Sequence, residues 1–295
     1  MKAVTFEIAT TLVRLASPSS RLFSSPLRDA LKHYNLPCPT EPEMKAAFRR
    51  ANSRVAGELR NYGAEIGLNE REWWQNLVHN TLEEAGCGSV TQSAAFDLVF
   101  QRAYSSFGAS GVWEAAPSAE HAMRHAKKRG LIVGGVDNLY SRYVDNNLPA
   151  VGLHEHLDFA VLSHELDVAK PDAGIFEAAA HRAAHASRLL LGAHDAPLEP
   201  TTSLHGAWDA ARLERDESLA ACWCGRDGVA PLAPAQMLHV GSSLEDDYLA
   251  AKRCGMHALL LDPKRRHAHA ELQGGDVLGS LAELPERIDA LLGTS

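Results

Sequence analysis

Short apolar runs of strand length alternate with amphipathic helical stretches along most of this chain. Leu131–Val136 (LIVGGV), Phe159–Leu162, Met237–Val240 and His257–Leu261 are continuous apolar runs, the pattern of strands buried on both faces. Near the amino terminus Val4, Phe6 and Ile8 alternate with Thr5 and Glu7, and Thr10-Thr11-Leu12-Val13 extends the β-favouring run. This stretch predicts the first core strand. Helical periodicity predicts helices at 118–129, 173–190 and 245–254, and a last one near 280–292. The first of these has Ser118 as its expected N-cap. It ends in Lys127-Lys128-Arg129 and Gly130, cations and a left-handed stop that suit a helix carboxyl terminus.

Residues 41–107 read as helical throughout. Met44, Ala47, Phe48, Ala51, Val55 and Leu59 fall on one face, and Phe96, Val99, Phe100, Ala103 and Phe107 form a second stripe. Both stripes are read as packing faces. Trp73-Trp74 fits the same core. Strand–helix alternation elsewhere implies an α/β fold, a parallel sheet with helices on both faces. The helical block inserted after the first strand then forms a cap. The expected organisation is a core of 1–13 and 108–295, a cap of 14–107, and an insertion at 190–236 within the core.

Composition narrows the classes. The 295 residues carry 29 basic and 37 acidic side chains, a net charge of −8, which argues against a broad nucleic-acid-binding face. No apolar run reaches the ~20 residues of a membrane helix. Cys38, Cys87, Cys222, Cys224 and Cys254 are odd in number and scattered, consistent with a reducing compartment and no disulfide framework. Residues 1–28 hold Lys2, Arg14, Arg21 and Arg28, many hydroxyls and one acid that precedes Asp29, Glu7. That composition also suits a mitochondrial address; the strand pattern favours a core strand over a cleaved presequence. The expected location is mitochondrial or cytoplasmic, not secreted.

Ligands of open parallel sheets gather beyond the carboxyl ends of the strands. Those ends read Glu7-Ile8-Ala9-Thr10-Thr11, then Asp137-Asn138, then Lys170-Pro171-Asp172 before a helix. The fourth is Gly241-Ser242-Ser243-Leu244-Glu245-Asp246-Asp247. Four such segments in this order resemble the haloacid dehalogenase (HAD) superfamily with a helical cap, a Rossmannoid fold. Gly255-Met256-His257 and Ser280-Leu281-Ala282-Glu283-Leu284 extend the likeness. In the cap, Asn61-Tyr62-Gly63 and Arg71-Glu72-Trp73-Trp74 resemble the group called haloacid dehalogenase-like hydrolase domain-containing protein three.

The resemblance implies a phosphatase chemistry that this chain departs from. The family pattern has an Asp nucleophile and an Asp acid/base two residues later. It has a hydroxyl and a Lys that hold phosphoryl oxygens, and carboxylates that bind Mg²⁺. Here the nucleophile position is Glu7, whose extra methylene displaces its oxygen by roughly an ångström, a shift that can cost ~100-fold. The acid/base position is Ala9 and the glycine position is Thr10. The hydroxyl position is Asp137, which would repel a bound phosphate by about 4 kcal/mol at ~4 Å and an effective dielectric near 20. The first acid of motif four is Ser242. Thr11, Asn138, Lys170 and Asp247 keep the pattern. The expectation is a catalytically inactive HAD-like chain that has lost its Mg²⁺, has no cofactor, and works as a structural or interaction subunit. Two alternatives stay open: a divergent phosphatase or dehalogenase using Glu7, and a binding module for a neutral or cationic ligand in the old cleft. Glu7 and Asp137 on either side of Lys170 are expected to form an internal ion pair or triad.

The 190–236 insertion holds Pro197, Pro200, Pro231, Pro234, Trp208, Trp223 and Cys222-Trp223-Cys224. A segment of about 46 residues at this place is unusual unless it binds something, and tryptophans are frequent interface anchors. Trp208 and Trp223 are therefore the candidate partner-binding residues, against packing on the chain's own core. Zinc on Cys222 and Cys224 with His205 or His239 is the weaker third option. His154-Glu155-His156, His267-Ala268-His269 and Lys264-Arg265-Arg266 read as solvated surface.

Overall fold

The structure is a computed structural model that describes residues 1–17, 19–106, 111–190, 229–267, 272 and 275–293. Trp208, Trp223, Cys222, Cys224, Phe107 and residues 191–228 of the 190–236 insertion lie outside the described residues.

Strand β1 (Ala3–Phe6) is the hub of the core. It pairs in parallel with β4 (Ile132–Asp137) on one side and β6 (Met237–Gly241) on the other. With β5 (Phe159–Leu162), β7 (His257–Leu261) and the short β8 (Val277–Leu278), the sheet order is β5-β4-β1-β6-β7-β8, parallel throughout. Successive side chains of a strand point to opposite faces, and each run is apolar because both faces are covered. Val4, Phe6, Val133, Leu238 and Val240 enter one core with Met123 and Ile288. Ala3, Ile132, Val136, Met237 and Leu260 enter the other with Ile175 and Phe176.

The helices come in two groups. α1 (Ser19–His33), α2 (Glu41–Glu58), α3 (Glu70–Glu84), α4 (Gly88–Thr91) and α5 (Ala95–Ser106) follow β1 and gather in a core of their own. α6 (Ala119–Lys128), the one-turn α7 (Leu148–Ala150) and α8 (Ser163–Leu166), α9 (Ala173–Leu190), α10 (Ala250–Arg253) and α11 (Leu284–Gly293) belong to the sheet layers. Both predicted cap stripes face inward: Met44, Ala47, Phe48, Ala51 and Val55 are buried, as are Val99, Phe100 and Ala103. Trp73 and Trp74 are buried with them. Among the described residues no helix is long and apolar enough to cross a membrane.

Three sequence expectations change. The run Thr10–Val13 does not extend β1. The chain turns at Thr10 (φ 65°), and Val13 begins β2 (Val13–Leu15), antiparallel to β3 (Trp113–Ala115). This two-stranded ribbon flanks the cap helices, the chain passing from β2 into α1 and returning from α5 to β3. Ser118 stands at the N-cap of α6 with φ 65° and makes no capping bond, while Gly130 (φ 75°) does supply the left-handed stop. The helix expected at 245–254 opens as a wider π-type turn over Leu244–Leu249, and strand β8 carried too short an apolar run to be read.

Candidate functional site

The strand order reverses at β1, so the carboxyl ends of β1, β4 and β6 open onto one cleft. Four loops bring Glu7, Asp137, Lys170, Ser242 and Asp247 together there.

The loop after β1 is built by its backbone. The amides of Leu12 and Val13 both donate to the Ile8 carbonyl at 3.0 Å, a fold-back that needs the left-handed residue between. Thr10 takes that conformation at a cost of about 1–2 kcal/mol. Its hydroxyl offsets part of this, lying 2.7 Å from Ser242 Oγ and 3.1 Å from Glu7 Oε2. Strain and lost hydrogen bonds should then nearly cancel in Thr10→Gly, giving a stability within about 1 kcal/mol of the parent. Urea unfolding checks this.

Glu7 is half-buried, and one of its oxygens is crowded with donors. Oε2 accepts from Thr11 Oγ1 (2.7 Å), Ser242 Oγ (2.8 Å), the Ser242 amide (2.9 Å) and Thr10 Oγ1. The extra methylene has carried the carboxylate across to the β6 loop. Burial and the Asp247 and Asp137 carboxylates push its pKa up to about 7, against Lys170 and the Thr11 hydroxyl.

Asp137 closes the opposite side. Its Oδ2 accepts from the Ala9 amide (2.7 Å) and the Ile8 amide (2.8 Å), and its Oδ1 from the Asn138 amide (2.7 Å). Lys170 Nζ lies 3.6 Å from Oδ1. Three backbone N–H groups and an ammonium thus converge on one buried carboxylate. Burial nevertheless moves the Asp137 carboxyl above its ordinary range, against Lys170 and the Ala9 and Ile8 amides.

Lys170 is the centre of the ionic cluster. Its Nζ donates to Asp247 Oδ1 at 2.5 Å and to the Val136 carbonyl at 3.2 Å. Asn138 fixes its backbone from both sides, accepting from the Lys170 amide at 2.7 Å and donating to the Lys170 carbonyl at 2.9 Å. Burial would lower the Lys170 ammonium; Asp137, Asp247 and Glu7 hold it above its ordinary range instead. Asp247 is fully buried, and its other oxygen accepts from the Ser243 amide at 2.9 Å. Burial would raise its carboxyl, but the His239 hydrogen bond and Lys170 reverse the effect and hold it well below the usual carboxylate range. The expected triad therefore exists with one member exchanged. Lys170 pairs with Asp137 and Asp247, while Glu7 turns to hydroxyls and an amide.

His239 is the participant that the sequence did not single out as part of the cleft. It is fully buried in β6, with Nε2 3.2 Å from Asp247 Oδ1 and Nδ1 2.9 Å from the Thr5 hydroxyl. Burial lowers the pKa of the ring, so it is neutral, donating from Nε2 to Asp247 and accepting at Nδ1. Both nitrogens are committed, which removes His239 from any zinc site. The one signal in the sequence was a histidine inside an otherwise apolar strand.

Gly241 makes room for Asp247. A Cβ at Gly241 would meet Asp247 Cγ at 2.2 Å, so Gly241→Ala must displace the buried carboxylate. We expect a loss of about 1–3 kcal/mol, measurable by thermal unfolding.

The cap rests on this cleft through polar bonds and rings. Asn61 Nδ2 donates to the Ser163 carbonyl (2.9 Å), and Ser163 Oγ returns a bond to Asn61 Oδ1 (2.6 Å). Trp74 Nε1 donates to Tyr140 Oη at 2.8 Å, and Tyr62 packs edge-on against Trp73 and Tyr140. Burial raises the Tyr62 and Tyr143 hydroxyls, and the nearby Asp137 charge adds to it, so both stay neutral.

The donor set does not suit a resident Mg²⁺, which asks for near-octahedral oxygens at ~2.0–2.1 Å. Glu7 Oε2 is taken by four donors and Asp247 by Lys170, His239 and Ser243, while Ala9 and Ser242 supply no carboxylate. An ammonium 2.5 Å from Asp247 already provides the positive charge there. Among the described residues no group of three or more His, Cys, Asp or Glu side chains is arranged to hold a metal.

A parallel six-stranded sheet, a helical cap after the first strand and four polar loops on one cleft define a capped HAD-type α/β protein. The chain belongs to the haloacid dehalogenase-like hydrolase family, whose model matches residues 9–190. It is 26% identical over 301 residues to haloacid dehalogenase-like hydrolase domain-containing protein 3 of Bos taurus, covering all of this chain and 96% of that one. The Danio rerio protein of the same name is 27% identical over 247 residues, 83% of this chain and 81% of that one. A 2-haloacid dehalogenase from Pseudomonas syringae superposes with a TM-score of 0.57 at 17% identity over 98% of this chain and 99% of that one. A HAD phosphatase from Thermococcus onnurineus does so with 0.52 at 15% over 98% of each. These two likenesses show the fold.

Proposed function

We propose that this chain is a HAD-fold pseudoenzyme, without Mg²⁺ and without hydrolase turnover, that serves as a structural or interaction subunit. The observation that carries the reading is the self-occupied cleft. Asp137 places its own carboxylate on the Ile8, Ala9 and Asn138 amides and beside Lys170. These are the donors that an incoming anion would need, and an anion entering beside Asp137 meets like charge in a low-dielectric site. Glu7 is turned into a hydrogen-bonding post for Thr11 and Ser242. Ala9, two residues on, has no proton to give. The reading as a divergent phosphatase lacks a motif-one group to protonate a leaving oxygen, and the dehalogenase reading rests on Glu7, whose Oε2 is taken by four donors.

The test is anion binding. Inorganic phosphate should not bind the full-length protein at millimolar concentration by calorimetry, whereas Asp137→Ser should free the donors and bind it at least ~100-fold more tightly. Equal affinity for both would contradict the self-occupied cleft. In the same samples about 10 mM Mg²⁺ should leave the melting temperature of the wild type unchanged, since only a bound ligand stabilises.

The interaction role is supported by the composition of the 190–236 insertion, with Trp208 and Trp223 as proposed anchors. Deleting residues 195–230 should leave a folded, soluble protein that no longer co-purifies with its stoichiometric partner. Retention of that partner by the deletion variant, or unfolding of the core, would count against it.

A further inference from the structure

Two cysteines of the cap lie close together although 49 positions separate them. Cys38 sits in the loop between α1 and α2, and Cys87 in the turn between α3 and α4. The Cys87 thiol rests 3.7 Å from the carbonyl oxygen of Pro37, the peptide group that carries Cys38. Ordinary peptide dimensions then place the Cys87 sulfur within about 6.5 Å of the Cys38 Cα. Both thiols are free, Cys87 lies in the cap core and Cys38 packs against it.

The two differ in a way that sets an order of events. Cys87 is 2% exposed, whereas Cys38 is only partly covered. Burial first, then the neighbouring Cys38 and Glu83, push the Cys87 thiol up. The more exposed Cys38 is the thiol that an oxidant reaches first, and Cys87 lies behind it.

We propose that Cys38 and Cys87 form a redox pair that hydrogen peroxide converts into a disulfide across the cap. The Cys38 thiolate attacks one peroxide oxygen and the O–O bond breaks. The sulfur keeps that oxygen as a sulfenic acid, and the other oxygen leaves as hydroxide and takes a proton to become water. The Cys87 sulfur then gives up its proton and attacks the Cys38 sulfur; the S–O bond breaks and a second water leaves. Two thiols and one peroxide become one disulfide and two waters, with two electrons passing from sulfur to oxygen. A dithiol reductant reverses the change. The bond closes a loop that contains α2 and α3, and the Asn61–Gly63 segment between them is the one that docks on Ser163. The loop between α1 and α2 is not helical around Cys38, so it supplies the small adjustment that brings the Cα atoms to disulfide distance.

The experiment treats the full-length protein with hydrogen peroxide, blocks free thiols, and maps non-reduced peptides by mass spectrometry. The expected product joins the Cys38 and Cys87 peptides with the loss of two hydrogens, and dithiothreitol removes it. In Cys87→Ser the same dose should leave Cys38 as a sulfenic acid that dimedone traps, with sulfinic acid accumulating about tenfold faster than in the parent. In Cys38→Ser, Cys87 should stay unmodified. Cys87→Ala repeats the Cys87→Ser test without a buried hydroxyl. Bridges formed only with Cys222, Cys224 or Cys254, or equal rates of Cys38 over-oxidation with and without Cys87, would overturn the proposal.

Discussion

Lys170→Met should destabilise the protein by about 3–5 kcal/mol, because it leaves two buried carboxylates without their cation. Asp137 and Asp247 are 4% and 0% exposed, and Lys170 is the ammonium that pairs with both. The loss arises from uncompensated charge more than from the ion pairs themselves, so it should shrink when one charge is removed with it. Lys170→Met combined with Asp247→Asn should therefore cost clearly less than the sum of the two single changes. Urea unfolding of the four proteins measures the coupling. Additive losses would mean that Lys170 is held by packing alone.

Glu7→Gln should stabilise the protein at pH 8 by up to about 3 kcal/mol and leave it nearly unchanged at pH 4. The folded Glu7 carboxyl is raised from 4.5 to about 7, by burial first and then by Asp247 and Asp137. A raised acid holds its proton more tightly in the folded state. Its stabilising contribution is complete below about pH 4.5 and is lost as the pH rises through about 7. Glutamine stays neutral and keeps an oxygen for Thr11 and Ser242, so the variant should lack this slope between pH 4.5 and 7. Denaturant unfolding at the two pH values checks the sign. Equal destabilisation at both would show that the four donors on Oε2, and not the neighbouring acids, govern Glu7.

The sheet and cap were legible because their signals are local and periodic. Four apolar runs became β4, β5, β6 and β7, and the 173–190 helix formed over those residues. The cleft was legible as a set of positions: Glu7, Asp137, Lys170 and Asp247 do converge. Their pairing was not, because one methylene and one backbone turn decide it. Glu7 reaches Ser242 instead of Lys170, and Asp137 is seated by the Ile8 and Ala9 amides, which no side-chain pattern reports. Thr10 hid the turn that ends β1, since a threonine with φ 65° carries no local signal for the left-handed region. His239 was read only as a weak zinc candidate, and its bond to Thr5 crosses between strands 234 positions apart.

The most direct test of the central claim compares wild type with Glu7→Ala in hydrolase assays. Both are purified identically and assayed with Mg²⁺ on phosphate monoesters and, without Mg²⁺, on 2-haloacids. Loss of chemistry at the cleft predicts that wild type and Glu7→Ala give the same background rate on every substrate. A turnover in the wild type that Glu7→Ala abolishes would make Glu7 a working nucleophile and contradict the account.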